Sequence, residues 1–355
     1  MRVVRLDSFI DSIRWTFREW HAGFPVPTDL DGWTDLDSDE DYSRRLLEAY
    51  HAWRFLGPFF ASRGYMPYVS RPEHTLLDLF PAPSQQDSKD TTEPMFPFAR
   101  RGYTSDDDAR FDFTSLRVWP ARDKAGRDVV IKLISGPEPS MELRIFQWLN
   151  RPEARSDPRN ISIPVLDHIS YNGLQFIVMP RWDLAFEHPF YTVAELMHAI
   201  DSLLEGVDFL HENRIAHCDL LVQNTGLNIT IGPETGGGRY VRDPAVAMYT
   251  IIDFGASFMY PRDIALEEAV PLALSKNGDE NPFDVDARHL GNLFSRWIKP
   301  AKLLVPGIHP ILQDMMIKSP GKCITVRQAL ERFREFRSSL SPAQLECEIP
   351  QSRRR

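Results

Sequence analysis

A single lysine stands inside an otherwise apolar run, Val129–Ile134, whose sequence is VVIKLI. Branched aliphatic residues on both sides of the lysine predict a buried strand. An unpaired ammonium group in such surroundings is costly, so we expect Lys132 to meet either a carboxylate or a phosphate. The alternative interpretation is an edge-strand lysine whose side chain reaches back to solvent.

A second group of polar residues lies in His217–Asn224, whose sequence is HCDLLVQN. This segment matches HRDLxxxxN, the catalytic-loop motif of protein kinases, except at Cys218. In kinases the aspartate orients the attacking hydroxyl and accepts its proton, and the asparagine binds magnesium. The resemblance assigns these roles to Asp219 and Asn224. Taken alone, the octet is also compatible with a capped turn between a helix and a strand.

A third polar residue, Asp253, ends the apolar stretch in the sequence IIDFG, residues 251–255. The stretch is similar to the kinase DFG motif, whose aspartate holds magnesium, and this likeness implies Mg2+ ligation by Asp253 and Asn224. Lys132 resembles the kinase lysine that contacts the phosphates of ATP and a helical glutamate. Glu142 is the predicted partner of Lys132, with Glu138, which lies between two prolines, as the alternative.

The likeness to the kinase family continues outside these motifs. Met179 takes the gatekeeper position, and the backbone from Pro180 to Trp182 takes that of the hinge that faces adenine. Asp286, in the sequence DARHLG, takes the place of the helix F aspartate that braces the catalytic loop.

The chain from about 111 to 336 therefore resembles the eukaryotic protein kinases. Two segments, Gly126–Lys132 and Asn281–Asp286, also resemble an expanded group of kinase-like proteins in mushroom-forming fungi. The resemblance implies an α+β, bilobal protein-kinase-like fold. We expect a small lobe with an antiparallel sheet and one helix (helix C), and a larger helical lobe.

Apolar periodicity predicts the elements that position these residues. The predicted strands are Phe111–Val118, Val129–Ile134, Ile161–Asp167 and Leu174–Met179. The predicted helices are 6–20, 42–60, Ser140–Leu149 and Thr192–Glu212. The predicted domains are an N-terminal helical extension at 1–80, a linker at 81–105, a protein-kinase-like domain at 106–340 and a C-terminal tail at 341–355.

The sequence departs from the kinase pattern at several positions. The places of the three glycines in GxGxxGxV are filled by Phe111, Phe113 and Leu116. Glycines there let backbone N–H groups approach the phosphates, so we expect weaker nucleotide binding or another geometry. Cys218 cannot form the charge-assisted contact of the arginine it replaces, which argues against activation by loop phosphorylation. Leu221 and Gln223 stand where kinases place a basic residue, so the type of hydroxyl acceptor is left open.

Composition restricts the class of protein. The chain has 355 residues, 43% of them hydrophobic, and a net charge of -9, so it lacks the basic excess of a nucleic-acid-binding protein. Three widely spaced cysteines with no CxxC pair favour a reducing, intracellular location, cytoplasmic or nuclear, over a disulfide framework or a zinc site. No run approaches the roughly 18 apolar residues of a membrane span. We expect neither a signal peptide nor a membrane partner.

Three functions fit these observations. The first is an ATP- and Mg2+-dependent protein kinase with an unidentified protein substrate, acting on serine or threonine. The second is a pseudokinase that binds or scaffolds with little or no turnover. Turnover that depends on Asp219 would exclude this function. The third is a small-molecule phosphotransferase of the aminoglycoside or choline kinase type, against which Gly255 and the segment Asp286–Gly291 argue. The sequence leaves the oligomeric state open.

Overall fold

The structure is a computed structural model that describes residues 13–14, 16–21, 26–33, 39–82, 96–102, 105–185, 188–231, 241–270, 280–319 and 322–351. The chain divides into two compact units. The first unit comprises Met1–Leu143, Pro164–Arg181 and Thr230–Gly236, and the second comprises Arg144–Ile163, Trp182–Ile229 and Gly237–Arg355. The predicted domain boundaries stay a prediction.

The described chain combines helices with antiparallel strands, which makes the protein mixed α+β. The α-helices are α1 (Asp39–Arg63), α2 (Met141–Leu149), α3 (Pro152–Arg155), α4 (Val193–Glu212), α5 (Pro282–Trp297), α6 (His309–Met315), α7 (Val326–Ser338) and α8 (Pro342–Leu345). Among the residues described, we find no helix whose length and apolar character would let it span a bilayer.

The strands are short. They are β1 (Met66–Pro67), β2 (Val69–Ser70), β3 (Asp78–Phe80), β4 (Arg100–Arg101), β5 (Phe111–Asp112), β6 (Val118–Arg122), β7 (Asp128–Ser135), β8 (Asp167–Tyr171), β9 (Leu174–Pro180), β10 (Asp183–Leu184), β11 (Ile215–Ala216), β12 (Thr225–Leu227), β13 (Ile229–Thr230), β14 (Tyr249–Ile251) and β15 (Phe258–Met259). The predicted strands Val129–Ile134 and Leu174–Met179 are confirmed as β7 and β9.

The first unit contains a five-stranded antiparallel sheet in the order β1-β6-β7-β9-β8. The turn between β6 and β7 depends on Asp123, whose Oδ1 accepts the backbone N–H groups of Ala125 and Arg127, both at 2.9 Å. Gly126 occupies the left-handed region there, with φ of 74°, which costs a glycine little. This turn sets the β6–β7 register, in which Lys132 lies opposite Val118. On the other side of β7, Lys132 lies opposite Ile177 of β9.

Helix α1 packs on this sheet through aromatic side chains. The indole ring of Trp53 stacks on that of Trp119 at 6.0 Å, and its Nε1 donates to the carbonyl of Leu116 at 2.9 Å. Near the end of the helix, Phe59 stacks on Tyr171 of β8 at 4.0 Å. The predicted helix 42–60 is confirmed as α1, which buries its apolar face in the core of the first unit. Of the predicted helix 6–20, residues 13–14 and 16–20 are described and helical, and the remaining ones lie outside the described residues.

The prediction of one strand over Phe111–Val118 is wrong. Phe111–Asp112 is a strand that pairs with β3 in a separate three-stranded sheet, β2-β3-β5, residues 113–117 are not in a strand, and Val118 begins β6. Phe113 and Leu116 are 0% and 2% exposed, and the ring of Phe113 packs against Trp119 at 4.9 Å. Their apolar character therefore serves the core beneath α1 rather than a strand.

The prediction of a strand over Ile161–Asp167 is also wrong. Strand β8 begins at Asp167, whereas Ser162 forms only an isolated bridge with Ile251 of β14. The N–H of Ile163 donates to the carbonyl of Ile251 at 3.0 Å. Ile163 is thus buried beside one strand without forming a ladder.

The second unit is mostly helical and is organised around α4. Thr192 caps this helix by accepting the N–H of Glu195 at 3.2 Å, and the helix packs against α5, α7 and β14. The predicted helix Thr192–Glu212 is confirmed. Several predicted features lie outside the described residues: most of the Pro- and Ser-rich stretch 81–97, the glycine run 236–238 and the end of the C-terminal tail.

Candidate functional site

In the first unit, Lys132 forms a buried ion pair with a helical carboxylate. Its Nζ lies 2.6 Å from Glu142 Oε1, and the two residues are 5% and 4% exposed. Lys132 stands in the interior of β7, and Glu142 is in the first turn of α2. The carboxylate partner in the structure is thus Glu142 rather than the alternative, Glu138.

Ser140 holds the start of α2 against the end of β7. Its Oγ accepts the N–H of Leu143 at 3.0 Å and donates to the carbonyl of Ile134 at 2.6 Å. The N–H of Ser140 in turn donates to Ser135 Oγ at 2.9 Å. These bonds fix the helix that carries Glu142. Sequence reasoning missed this role of Ser140, although a serine just before a helix is a known capping signal.

In the second unit, Asp219 and Asn224 are joined directly. Asn224 Nδ2 donates to the carbonyl of Asp219 at 2.8 Å and to its Oδ2 at 2.9 Å. The tight turn is closed by the N–H of Asn224, which donates to the carbonyl of Leu221 at 3.0 Å. The amide nitrogen thus orients the Asp219 carboxylate, and the amide oxygen is the atom able to bind a cation.

Asp286 braces the chain just before Asp219. Its fully buried carboxylate accepts the backbone N–H of His217 and that of Cys218, both at 2.7 Å. The ring of His211 lies 3.0 Å from the same carboxylate. Cys218 has φ of 63°, a conformation that is strained for a non-glycine residue. The two charge-assisted bonds hold this strained segment in place.

The thiol of Cys218 lies in a small apolar cluster. The other members of this cluster are Ala216, Tyr260, Ala269 and Phe283. Burial, together with the nearby carboxylates of Asp286 and Asp219, raises the pKa of Cys218 far above its ordinary value. The thiol is therefore protonated at neutral pH and acts as an apolar side chain.

Asp253 follows β14 at the end where β12 begins. The two strands are antiparallel, with Thr225 opposite Ile251, so Asn224 and Asp253 lie at the same end of the pair. Asp253 has φ of 63°, and its Oδ1 accepts the N–H of Gly255 at 3.0 Å. This arrangement brings an amide and a carboxylate from two motifs to one edge.

His217 links the two motifs, a role that sequence reasoning did not assign. Its Nδ1 accepts the N–H of Asp219 at 3.3 Å, and its Nε2 lies 3.0 Å from the carbonyl of Ile252. A carbonyl can only accept a hydrogen bond, so these contacts fit the Nε2–H tautomer. Phe254, fully buried, packs on the rings of His217 and Phe146 at 5.0 and 5.2 Å.

The predicted adenine-facing residues stand at and after the end of β9. Met179 and Pro180 pair with Val130 and Val129 of β7 and belong to the first unit. Trp182, half-buried, belongs to the second unit. Their assignment to adenine binding stays a prediction.

Comparison with known proteins gives a distant likeness. No family model matches the chain. The dual specificity protein kinase CLK2 of Mus musculus and that of Homo sapiens are each 24% identical to it over 152 residues. Each alignment covers 38% of this chain and 30% of the relative, so the chain spans less than a third of the length of these kinases. This protein is thus distantly similar to a dual specificity protein kinase.

Proposed function

We propose that this protein is a protein kinase that transfers the γ-phosphoryl group of ATP to a serine or threonine hydroxyl of a protein substrate. The observation that carries the proposal is the buried pair of Lys132 and Glu142. A buried ion pair adds little net stability compared with apolar residues of similar size. A lysine held by a carboxylate inside a sheet is well explained by a need to place its ammonium group against phosphates.

The second unit supplies the other groups that this chemistry needs. Asp219, held by Asn224, would orient the acceptor hydroxyl and take its proton. The Asn224 amide oxygen and the Asp253 carboxylate are oxygen ligands of the kind that Mg2+ prefers. Bound there, Mg2+ would neutralise charge on the phosphates.

The ligand set at this edge is incomplete without a nucleotide. Within the part of the chain that the structure describes, no group of three His, Cys, Asp or Glu side chains is placed to hold a metal. Mg2+ commonly binds through one or two carboxylates together with substrate phosphates and water. This fits a metal that arrives with ATP.

The likeness to a dual specificity protein kinase supports the general class of reaction. The specific roles of Asp219, Asn224 and Asp253 rest on their motifs and geometry. We propose in addition that the fold is bilobal and kinase-like, and that the chain is related to the kinase-like proteins of mushroom-forming fungi. The relation to the fungal proteins is supported by the segments Gly126–Lys132 and Asn281–Asp286.

A pseudokinase is the second candidate, and the burial of Phe113 and Leu116 favours it. These residues occupy two of the places where a kinase has the glycines that cover the phosphates. Here they are 0% and 2% exposed in the core of the first unit. Their backbone therefore cannot serve as a phosphate-covering loop, which would weaken nucleotide binding.

The deciding experiment measures phosphoryl transfer from γ-labelled ATP with Mg2+ to generic proteins and to small alcohols. We expect wild-type protein to label a protein acceptor and Asp219→Asn to lose about 10²- to 10⁴-fold in rate, the usual contribution of a positioned base. Asp314→Asn is the matched control, because this carboxylate pairs with Arg332 away from the motifs.

Each other outcome selects a different function. Labelling of small alcohols alone would identify a small-molecule phosphotransferase. Nucleotide binding without turnover would identify a pseudokinase. Turnover that is equal in wild type and Asp219→Asn would contradict the proposed role of Asp219.

A further inference from the structure

Arg181 stands between two of the residues expected to face adenine, yet its side chain is engaged elsewhere in the first unit. It is 9% exposed. Its Nη1 donates to the carbonyl of Ala109 at 2.8 Å, and its Nη2 donates to that of Arg110 at 2.7 Å. Its guanidinium also lies over the ring of Phe111, 5.4 Å from the centroid. The side chain is thus tied to a segment about 70 residues earlier in the chain.

The backbone of Arg181 is fixed as well. The ladder between β7 and β9 ends with the pair Val129 and Pro180, and proline has no N–H to extend it. The next N–H, that of Arg181, donates to the carbonyl of Asp128 at 3.1 Å. The backbone of Arg181 is therefore fixed to the start of β7.

Asp128 is the centre of a buried charge cluster. Its Oδ1 accepts the hydroxyl of Tyr68 at 2.7 Å and Nε of Arg122 at 2.8 Å, and its Oδ2 accepts Nη2 of Arg101 at 3.1 Å. Burial alone would raise the pKa of Asp128, but Arg122, Arg101 and Arg181 outweigh it and lower the pKa to about 2. The carboxylate is therefore charged and holds the surrounding cations together.

The same cluster fastens the earlier segment to the sheet. Arg122 makes two further bonds to Asp106, at 2.9 and 2.7 Å. Arg101 also donates to the carbonyl of Gly126 at 2.9 Å. Residues 101–102 and 105–110, which we call the clamp segment, are thus bonded both to the β6–β7 hairpin and to Arg181.

We propose that Arg181 is a positioning residue through which the clamp segment holds the hinge backbone in the conformation that binds adenine. The inference rests on the proposed function and adds to it a determinant of nucleotide affinity that lies outside the motif residues. Two carbonyls oriented toward one planar guanidinium suit arginine, which presents a rigid fork of donors. Lysine, a single point charge on a flexible chain, would satisfy this geometry only in part.

The test is nucleotide affinity, measured as the anisotropy of a fluorescent N-methylanthraniloyl ATP with Mg2+ for the full chain. If loss of the clamp leaves about one tenth of molecules with a competent hinge, Arg181→Met raises Kd about tenfold. Arg181→Lys should lie between Arg181→Met and wild type, and it serves as the test if Arg181→Met does not fold. In the transfer assay KM for ATP should rise while kcat at saturating ATP changes less than about twofold.

A variant destabilised elsewhere in the first unit separates positioning from general destabilisation. Phe59→Leu removes the stacking on Tyr171 in the core of the first unit, so it should lower Tm without changing Kd at a temperature below Tm. Equal Kd values for folded Arg181→Met and wild type would overturn the inference alone. A Kd increase in Phe59→Leu as large as that in Arg181→Met would overturn it too. No nucleotide binding by wild type would remove the proposed function and this inference together.

Discussion

Removing the carboxylate of Asp286 is the most informative single change in the second unit. The side chain is 0% exposed and accepts the backbone N–H groups of His217 and Cys218. Asp286→Ala leaves both donors buried without a partner, and each costs about 1 to 3 kcal/mol. We therefore expect the free energy of unfolding to fall by roughly 4 kcal/mol.

Asp286→Asn keeps the shape of the side chain and one acceptor oxygen. It should cost about 2 kcal/mol, because one of the two donors keeps a neutral acceptor. In both variants the strained conformation at Cys218 is restrained less strongly, and such conformations cost of order 1 to 3 kcal/mol. The segment can then relax and displace Asp219, so phosphoryl transfer should fall together with stability.

Urea unfolding followed by tryptophan fluorescence measures the loss of stability. Phosphoryl transfer from γ-labelled ATP measures the loss of activity. Asp314→Ala is the control, because this exposed carboxylate pairs only with a surface arginine among the bonds described, and it should cost less than about 0.5 kcal/mol. An Asp286→Ala variant that loses under about 1 kcal/mol would refute the bracing role.

Two further predictions concern charges in the first unit. Lys132→Met should cost about 3 to 5 kcal/mol, because it removes the ammonium group from the buried carboxylate of Glu142, and the double variant with Glu142→Leu should regain most of it. A double-mutant cycle in urea measures this coupling, and the exposed pair Arg44 and Glu48 should give only about 0.3 to 0.5 kcal/mol. For Asp128, the folded-state pKa of about 2 lies below its ordinary value of 3.8, so unfolding takes up a proton at low pH. Its contribution to the free energy of unfolding, roughly 2 kcal/mol, is present above about pH 4 and is lost as pH falls toward 2. In Asp128→Asn the free energy of unfolding should therefore change less with pH over this range.

Local patterns in the sequence predicted several of the helices and strands. The apolar run around Lys132 predicted β7, and the helical spacing of apolar residues predicted α1 and α4. These predictions succeed because strand and helix periodicities depend on neighbours two to four positions away. The mixed α+β class was implied by the resemblance to the protein kinases. The proposed roles of the site residues stay predictions, resting on motif spacing.

Apolar residues buried without regular structure misled the same reasoning. Phe111 and Phe113 alternate with polar neighbours as a strand would, yet Phe113 and Leu116 fill the core beneath α1. Apolar character indicates that a side chain is buried. The backbone conformation at that residue depends instead on the tertiary structure that packs against it.

What the sequence alone determined is the set of motifs and most of the elements that carry them. What the tertiary structure decided is which distant groups meet. Arg181 reaches the carbonyls of Ala109 and Arg110 across 72 and 71 positions. Asp286 reaches the N–H groups of His217 and Cys218 across 69 and 68 positions, a contact expected only from the resemblance to kinases. Periodicity contains no information about such pairs, because a buried charge takes its partner from whichever chain segment the packed core brings beside it.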